Sequence, residues 1–97
     1  MKRREYDVRL VVNGISIKKV IIDPHYEKKH AKSINDKLIL NLVKTLDTQF
    51  VEPELVDPPY LYFKMDKIAL ADKLYKMIWL LEEHQMYIGV VNVYRRR

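Results

Sequence analysis

Two apolar segments near the end of the sequence constrain the fold more than any other feature. Residues 77–81 read Met-Ile-Trp-Leu-Leu, and four of the six residues 88–93 are isoleucine or valine. A half-buried strand alternates apolar and polar side chains, whereas a central strand covered on both faces is apolar throughout. Both segments therefore predict central strands of a sheet.

Residues 68–81 also admit a helical interpretation. Leu70, Leu74 and Leu81 recur at the spacing of one helical face, and leucine, lysine, methionine and glutamate favour helices. However, the run of five apolar residues leaves no polar face for a surface helix. We favour a strand here and keep the helix as the alternative.

The first part of the sequence predicts a β-hairpin. Apolar residues alternate along its first strand, and Asn13-Gly14 supplies the positive φ angles that a two-residue turn requires. The apolar parity of the second strand then switches at Lys18-Lys19. A β-bulge near these lysines would keep the apolar side chains of both strands on one face.

Two helices are predicted after the hairpin. Asp23-Pro24 is typical of a helix start, because the Asp side chain accepts from a free backbone N–H and Pro fits the first helical position. A short helix over residues 25–32 should follow. Ser33 and Asp36 predict a capping box for the second helix, which carries a wide apolar face.

The remainder of the chain returns to strands. Three prolines and four acids in residues 47–59 predict a loop, and residues 60–65 alternate as in a strand. The sequence therefore predicts an α+β fold, an antiparallel sheet in β-β-α-α-β-β-β order with two helices packed on one face. One domain should span residues 1–97, with the hairpin over about residues 5–22, the helices over about 24–47 and the C-terminal strands over about 60–96.

The composition narrows the classes of partner and chemistry. The chain carries 18 Lys and Arg against 13 Asp and Glu, and its net charge of +5 favours polyanions such as RNA or an acidic protein. The lack of cysteine excludes disulfides and thiolate chemistry, and two glycines are too few for a phosphate-binding loop. No segment has the length and apolarity of a membrane span, so we expect a cytoplasmic protein without a membrane partner.

Two groups of polar side chains are candidates for catalysis and RNA contact. The first group follows the predicted helix start and consists of His25, Lys28, Lys29 and His30. The second group follows or ends the last strand and consists of Tyr94, Arg95, Arg96 and Arg97, and Lys64 is a further candidate for RNA contact. Histidine exchanges protons near neutral pH, and a strand should hold its closing residues more firmly than a free tail would. A solvated helix surface and a frayed basic end are the alternatives.

The sequence predicts no metal site and no cofactor. On a helix, His25 and His30 would point about 140° apart. A zinc site needs three or four converging ligands, and the remaining histidine, His84, is far away in the sequence.

The aromatic residues of the predicted strands admit two roles. Tyr60, Tyr62, Phe63 and Tyr75 have the flat rings on which RNA bases stack. No recognised RNA-binding motif accompanies them, so we favour core packing or cover by a helix.

The order of elements resembles the RelE/ParE superfamily of toxins from toxin-antitoxin operons. Residues 25–34, followed by an acidic helix start, are similar to the His-x-x-x-Arg/Lys helix of BrnT-like relatives. The resemblance covers residues 23–97 and leaves the first hairpin as an addition. It implies a metal-independent endoribonuclease that an acidic antitoxin-like protein binds.

The resemblance also implies roles for individual residues. Cleavage would drive the ribose 2′-hydroxyl onto the adjacent phosphate, which needs a base, cations and an acid. His25 or His30 would be the base, Lys29 and Arg95 would stabilise charge, and Tyr94 would act as an acid or position the substrate.

A different class of function competes with this one. A non-catalytic basic module would bind nucleic acid or an acidic protein through the same surface. The edge of the first hairpin would then be available for strand pairing or for a homodimer.

Overall fold

A computed structural model describes residues 3–96, and these form one six-stranded sheet with two helices and a short 3₁₀ turn. The elements are β1 Arg4–Val12, β2 Ile15–Ile22, the 3₁₀ turn Pro24–Tyr26, α1 Glu27–His30, α2 Asp36–Lys44, β3 Leu55–Asp57, β4 Tyr60–Leu70, β5 Lys73–Glu82 and β6 Tyr87–Arg96. This confirms the predicted α+β class. The strand order across the sheet is β1-β2-β6-β5-β4-β3.

The prediction of a purely antiparallel sheet is wrong. β2 and β6 are parallel, with Lys19 next to Tyr87 and Ile22 next to Val90, while every other neighbouring pair within residues 3–96 is antiparallel. Both helices and three strands separate β2 from β6, so the connection is long enough for a parallel crossover. Apolar alternation reveals which face a residue lies on but not the direction of the neighbouring strand.

The predicted N-terminal hairpin is confirmed. Val12 pairs with Ile15 across Asn13 and Gly14, whose φ angles are 53° and 74°. The register shifts once between Asp7 and Leu10, opposite the two lysines, as the parity change predicts.

The helix starts differ in part from the prediction. Asp23 caps as expected, because its Oδ1 accepts from the His25 N–H at 2.9 Å, but the first helix is a 3₁₀ turn followed by a single α-helical turn. The second helix is capped by Asn35, whose side chain accepts from the Leu38 N–H at 2.8 Å. The predicted cap by Ser33 is therefore wrong, and Asp36 is engaged elsewhere.

The strand interpretation of residues 68–81 is confirmed. β4 continues to Leu70, Ala71 and Asp72 form a left-handed turn with φ of 51° and 64°, and β5 begins at Lys73. The loop predicted for residues 47–59 contains one short strand, β3, which pairs with the start of β4 across Pro58-Pro59. Local helix propensity is overridden here by pairing with two neighbouring strands.

α2 covers one face of the sheet, whereas the single turn α1 has no buried residue. Ile39, Leu42 and Val43 of α2 are buried in the same core cluster as alternate residues of the strands, among them Met77 and Trp79. On the opposite face, side chains of β4, β5 and β6 are partly exposed. We call this opposite face the open face.

Candidate active site

β6 extends beyond the end of β2, and this overhang brings the first helix beside it. Ile22 lies next to Val90, so the later residues of β6 have no partner in β2. The chain leaving β2 turns along this part of β6, beginning with a hydrogen bond from the Asp23 N–H to the Val90 carbonyl at 3.0 Å. The 3₁₀ turn and α1 therefore contact β6.

His30 and Tyr94 meet at this junction. His30 is the last residue of α1, and its ring stacks on that of Tyr94 with centroids 5.3 Å apart and planes inclined by 24°. Both side chains are partly buried. An imidazole, which can accept or donate a proton, is thus held against a phenol.

Three charged side chains adjoin this pair. Lys76 lies opposite Tyr94 in the β5–β6 pair, with its Nζ 5.5 Å from the centre of the Tyr94 ring. Asp66 Oδ1 lies 3.8 Å from Lys76 Nζ and 3.2 Å from Arg96 Nη1. We call His30, Tyr94, Lys76, Asp66 and Arg96 the Tyr94 cluster.

Two cations of the Tyr94 cluster converge on one anion. The Tyr94 hydroxyl, and to a smaller extent the Asp66 carboxylate, raise the pKa of Lys76, which keeps its ammonium protonated. The side chain of Asp66 is 52% exposed, so its ion pairs are accessible to solvent and weak. A phosphate from solution can therefore compete for Lys76 and Arg96.

Some predicted residues lie away from the Tyr94 cluster. Arg95 follows Tyr94 directly, so its side chain lies on the other face of the sheet from Tyr94. Its cross-strand partner on that face, Tyr75, is buried in the core. His25 is exposed, and its side chain makes no hydrogen bond or ring contact within residues 3–96. Of the two candidate imidazoles, only His30 contacts Tyr94.

The predicted lysines are distributed over two surfaces. Lys28 and Lys29 are exposed on α1. Lys64 is exposed on the open face, where it pairs with Ile78, two residues along β5 from Lys76. Arg96 joins the Tyr94 cluster, whereas Arg97 lies outside the described residues.

Sequence reasoning did not single out Lys76 and Asp66 as site residues. Lys76 is recognisable only once the β5–β6 register places it opposite Tyr94. Asp66 lies two residues after Lys64 on β4, so strand alternation places it on the open face, and the register shift between Met65 and Ile68 leaves it near Lys76. Neither the register nor the shift follows from residue spacing.

No group of three or more His, Asp or Glu side chains within residues 3–96 is arranged to hold a metal ion. In the same part of the chain, no helix is both long and apolar enough to span a membrane.

Replacing Asp66 by asparagine tests whether its carboxylate competes with phosphate. Asp66→Asn should tighten binding of a short single-stranded RNA roughly two- to fivefold at low salt, because exposed ion pairs of this kind are worth about 0.2–1 kcal/mol. Fluorescence anisotropy measures the change. Asp7→Asn, which removes an exposed carboxylate of β1, is the matched control. Equal tightening by both variants would show a general charge effect instead.

Comparisons with protein-family models, curated proteins and solved structures found no significant match to this chain. Within residues 3–96, the contact between His30 and Tyr94, beside Lys76 and Arg96, brings together groups that could transfer a proton and bind a phosphate.

Proposed function

We propose that this protein is a metal-independent endoribonuclease of the toxin type, similar to members of the RelE/ParE superfamily. The stacking of His30 on Tyr94, with two cations adjoining on the same side of the sheet, is the observation that carries the proposal. It supplies a proton-transfer group and phosphate-binding charges within one small area.

The reaction needs no group beyond RNA and these side chains. The 2′-oxygen forms a bond to the adjacent phosphorus, and the bond from phosphorus to the 5′-oxygen of the next nucleotide breaks. A base removes the 2′-hydroxyl proton, and an acid gives a proton to the departing 5′-oxygen. The products are a 2′,3′-cyclic phosphate and a 5′-hydroxyl end.

We assign the base to His30 and the stabilisation of developing charge to Lys76 and Arg96. Negative charge grows on the phosphate oxygens in the transition state, where fixed cations lower the barrier. Tyr94 holds the His30 ring by stacking, and its hydroxyl gives the proton to the departing 5′-oxygen. Lys76 and Arg96 thus take the charge-stabilising role that the resemblance implied for Lys29 and Arg95.

A second candidate is RNA binding without cleavage. It is favoured by the exposed Lys64 and the partly exposed Tyr60 and Tyr62 on the open face, since basic and aromatic side chains together bind single-stranded RNA without any chemistry. Because Tyr60 and Tyr62 are partly exposed, their interpretation as core residues is wrong, whereas Phe63 and Tyr75 are buried in the core.

Cleavage distinguishes the two candidates. The purified protein, incubated with a 5′-labelled single-stranded RNA in the presence of a metal chelator, should yield discrete fragments that end in a cyclic phosphate. Induced expression should arrest bacterial growth. Intact RNA together with salt-dependent binding would favour the non-catalytic module, because counterion release dominates such binding.

A further inference from the structure

A cavity of about 260 Å³ lies on the open face, toward the start of β6. Three tyrosines line it, Tyr60, Tyr62 and Tyr87, together with Gly89 of β6. Its two charged lining groups are the Arg3 guanidinium and the Asp23 carboxylate. We call this cavity the tyrosine pocket.

Strand register determines the floor of the pocket. Tyr62 of β4, Leu80 of β5 and Gly89 of β6 form one cross-strand row, and Gly89 contributes no side chain to it. The Leu80 side chain takes that place, since a Cβ at position 89 would be 2.9 Å from Leu80 Cδ1. The floor of the pocket is therefore apolar.

The next row provides walls that are held in place. Tyr87 donates its hydroxyl hydrogen bond to Glu82 Oε1 at 2.6 Å, and burial together with this bond raises the pKa of Tyr87 to about 12. The rings of Tyr60 and Tyr62 lie 6.1 Å apart and are inclined by 48°. Ring faces at several angles thus border one small space.

The chemistry of the lining selects a flat, neutral, hydrogen-bonding ligand. The tyrosine rings and the apolar floor favour an aromatic plane. One carboxylate and one guanidinium give the lining no net charge, which favours a neutral ligand. The Asp23 carboxylate accepts hydrogen bonds from amino groups, and the Arg3 guanidinium donates to carbonyl and ring-nitrogen acceptors. A nucleobase carries both kinds of group on its edge.

We propose that the tyrosine pocket binds one nucleobase of the single-stranded RNA that the Tyr94 cluster cleaves. This inference rests on the proposed function and adds a base-binding subsite to it. Gly89 and Tyr94 are five residues apart on β6, about 16 Å at the rise of a strand. The bound base therefore belongs to a nucleotide that lies a short distance along the RNA from the cleaved bond.

A fluorescent base analogue tests the pocket independently of cleavage. The probe is a short RNA that contains 2-aminopurine and is fully 2′-O-methylated, so that it has no nucleophile and stays intact. Binding to the wild-type protein should quench the 2-aminopurine fluorescence, since stacking on an aromatic ring causes the quenching. Tyr62→Ala should abolish the quenching and raise the dissociation constant about tenfold, within the usual range for loss of one base–aromatic stack.

Further variants separate stacking from fold and from charge. Tyr62→Phe keeps the ring and should behave as wild type, while Tyr62→Leu keeps apolar bulk without the ring and should behave as Tyr62→Ala. Phe50→Ala is the matched control, because Phe50 is an aromatic residue that is 82% exposed and does not line the pocket. Circular dichroism and thermal melting establish that each variant is folded.

The possible results distinguish this inference from the proposed function. Quenching that depends on Tyr62, without cleavage of unmodified RNA, supports the pocket and overturns the ribonuclease. Cleavage by wild type with no quenching, or with equal affinity in Tyr62→Leu, overturns the pocket and leaves the ribonuclease standing. Absence of both binding and cleavage overturns both.

Discussion

His30→Ala is expected to lower the rate of RNA cleavage by roughly 10²- to 10⁴-fold, the usual contribution of a positioned general base. The reason is that His30 is the imidazole that contacts Tyr94, on the side of the sheet where Lys76 and Arg96 lie. Initial rates with a labelled RNA measure the loss. The affinity for a 2′-O-methylated RNA should change little, because proton transfer is not required for binding.

His25→Ala provides the matched control for this variant. His25 is exposed on the 3₁₀ turn, five residues before His30, and its loss should leave the cleavage rate within about twofold of wild type, as is usual for surface positions. Tyr94→Phe retains the stacked ring and therefore isolates the contribution of the hydroxyl. The assignment of the base would be wrong if His25→Ala abolished cleavage and His30→Ala did not.

Much of the fold follows from local sequence patterns. The Asn13-Gly14 turn, the Asp23 cap and the apolar run at residues 77–81 each depend on neighbours a few residues away. Such signals report turn chemistry, caps and burial directly. These are the elements for which prediction and structure agree.

The candidate site depends on long-range register, which local patterns do not contain. Strand alternation alone already separates Tyr94 from Arg95 and puts Arg96 on the same face as Tyr94, but it does not reveal which residues of other strands lie beside them. Lys76 enters the cluster because β5 pairs with β6 in one particular register. A shift of one residue in that register would place a residue other than Lys76 opposite Tyr94.

The same limit applies to Asp36, which the sequence assigned to a capping box. Its carboxylate accepts hydrogen bonds from Arg4 Nε at 2.5 Å, from the Tyr6 hydroxyl at 2.5 Å and from the Tyr26 hydroxyl at 2.7 Å. Arg4 also pairs with Glu27. One carboxylate of α2 thus bonds to residues of β1 and to the last residue of the 3₁₀ turn. Helix α1, which ends at His30, begins directly after that turn.

Asp36→Asn is therefore expected to lower the free energy of unfolding at pH 7 by about 2 kcal/mol, measured by urea denaturation. The hydrogen bonds from Arg4, and then those from Tyr6 and Tyr26, lower the pKa of Asp36 to about 2 from its ordinary value of 3.8, although burial opposes them. Each unit of such a difference corresponds to about 1.4 kcal/mol.

The stabilisation by Asp36 should depend on pH. Because the pKa of Asp36 is lower in the folded state than in the unfolded state, its stabilisation is complete above about pH 5 and is lost as the pH falls through 4 toward 2. The wild-type protein should lose this contribution over that range, and Asp36→Asn should lack it at every pH. Asp57→Asn removes an exposed carboxylate of β3 and should retain the wild-type profile. Parallel stability curves for wild type and Asp36→Asn between pH 7 and pH 2 would show that Asp36 does not hold these elements together.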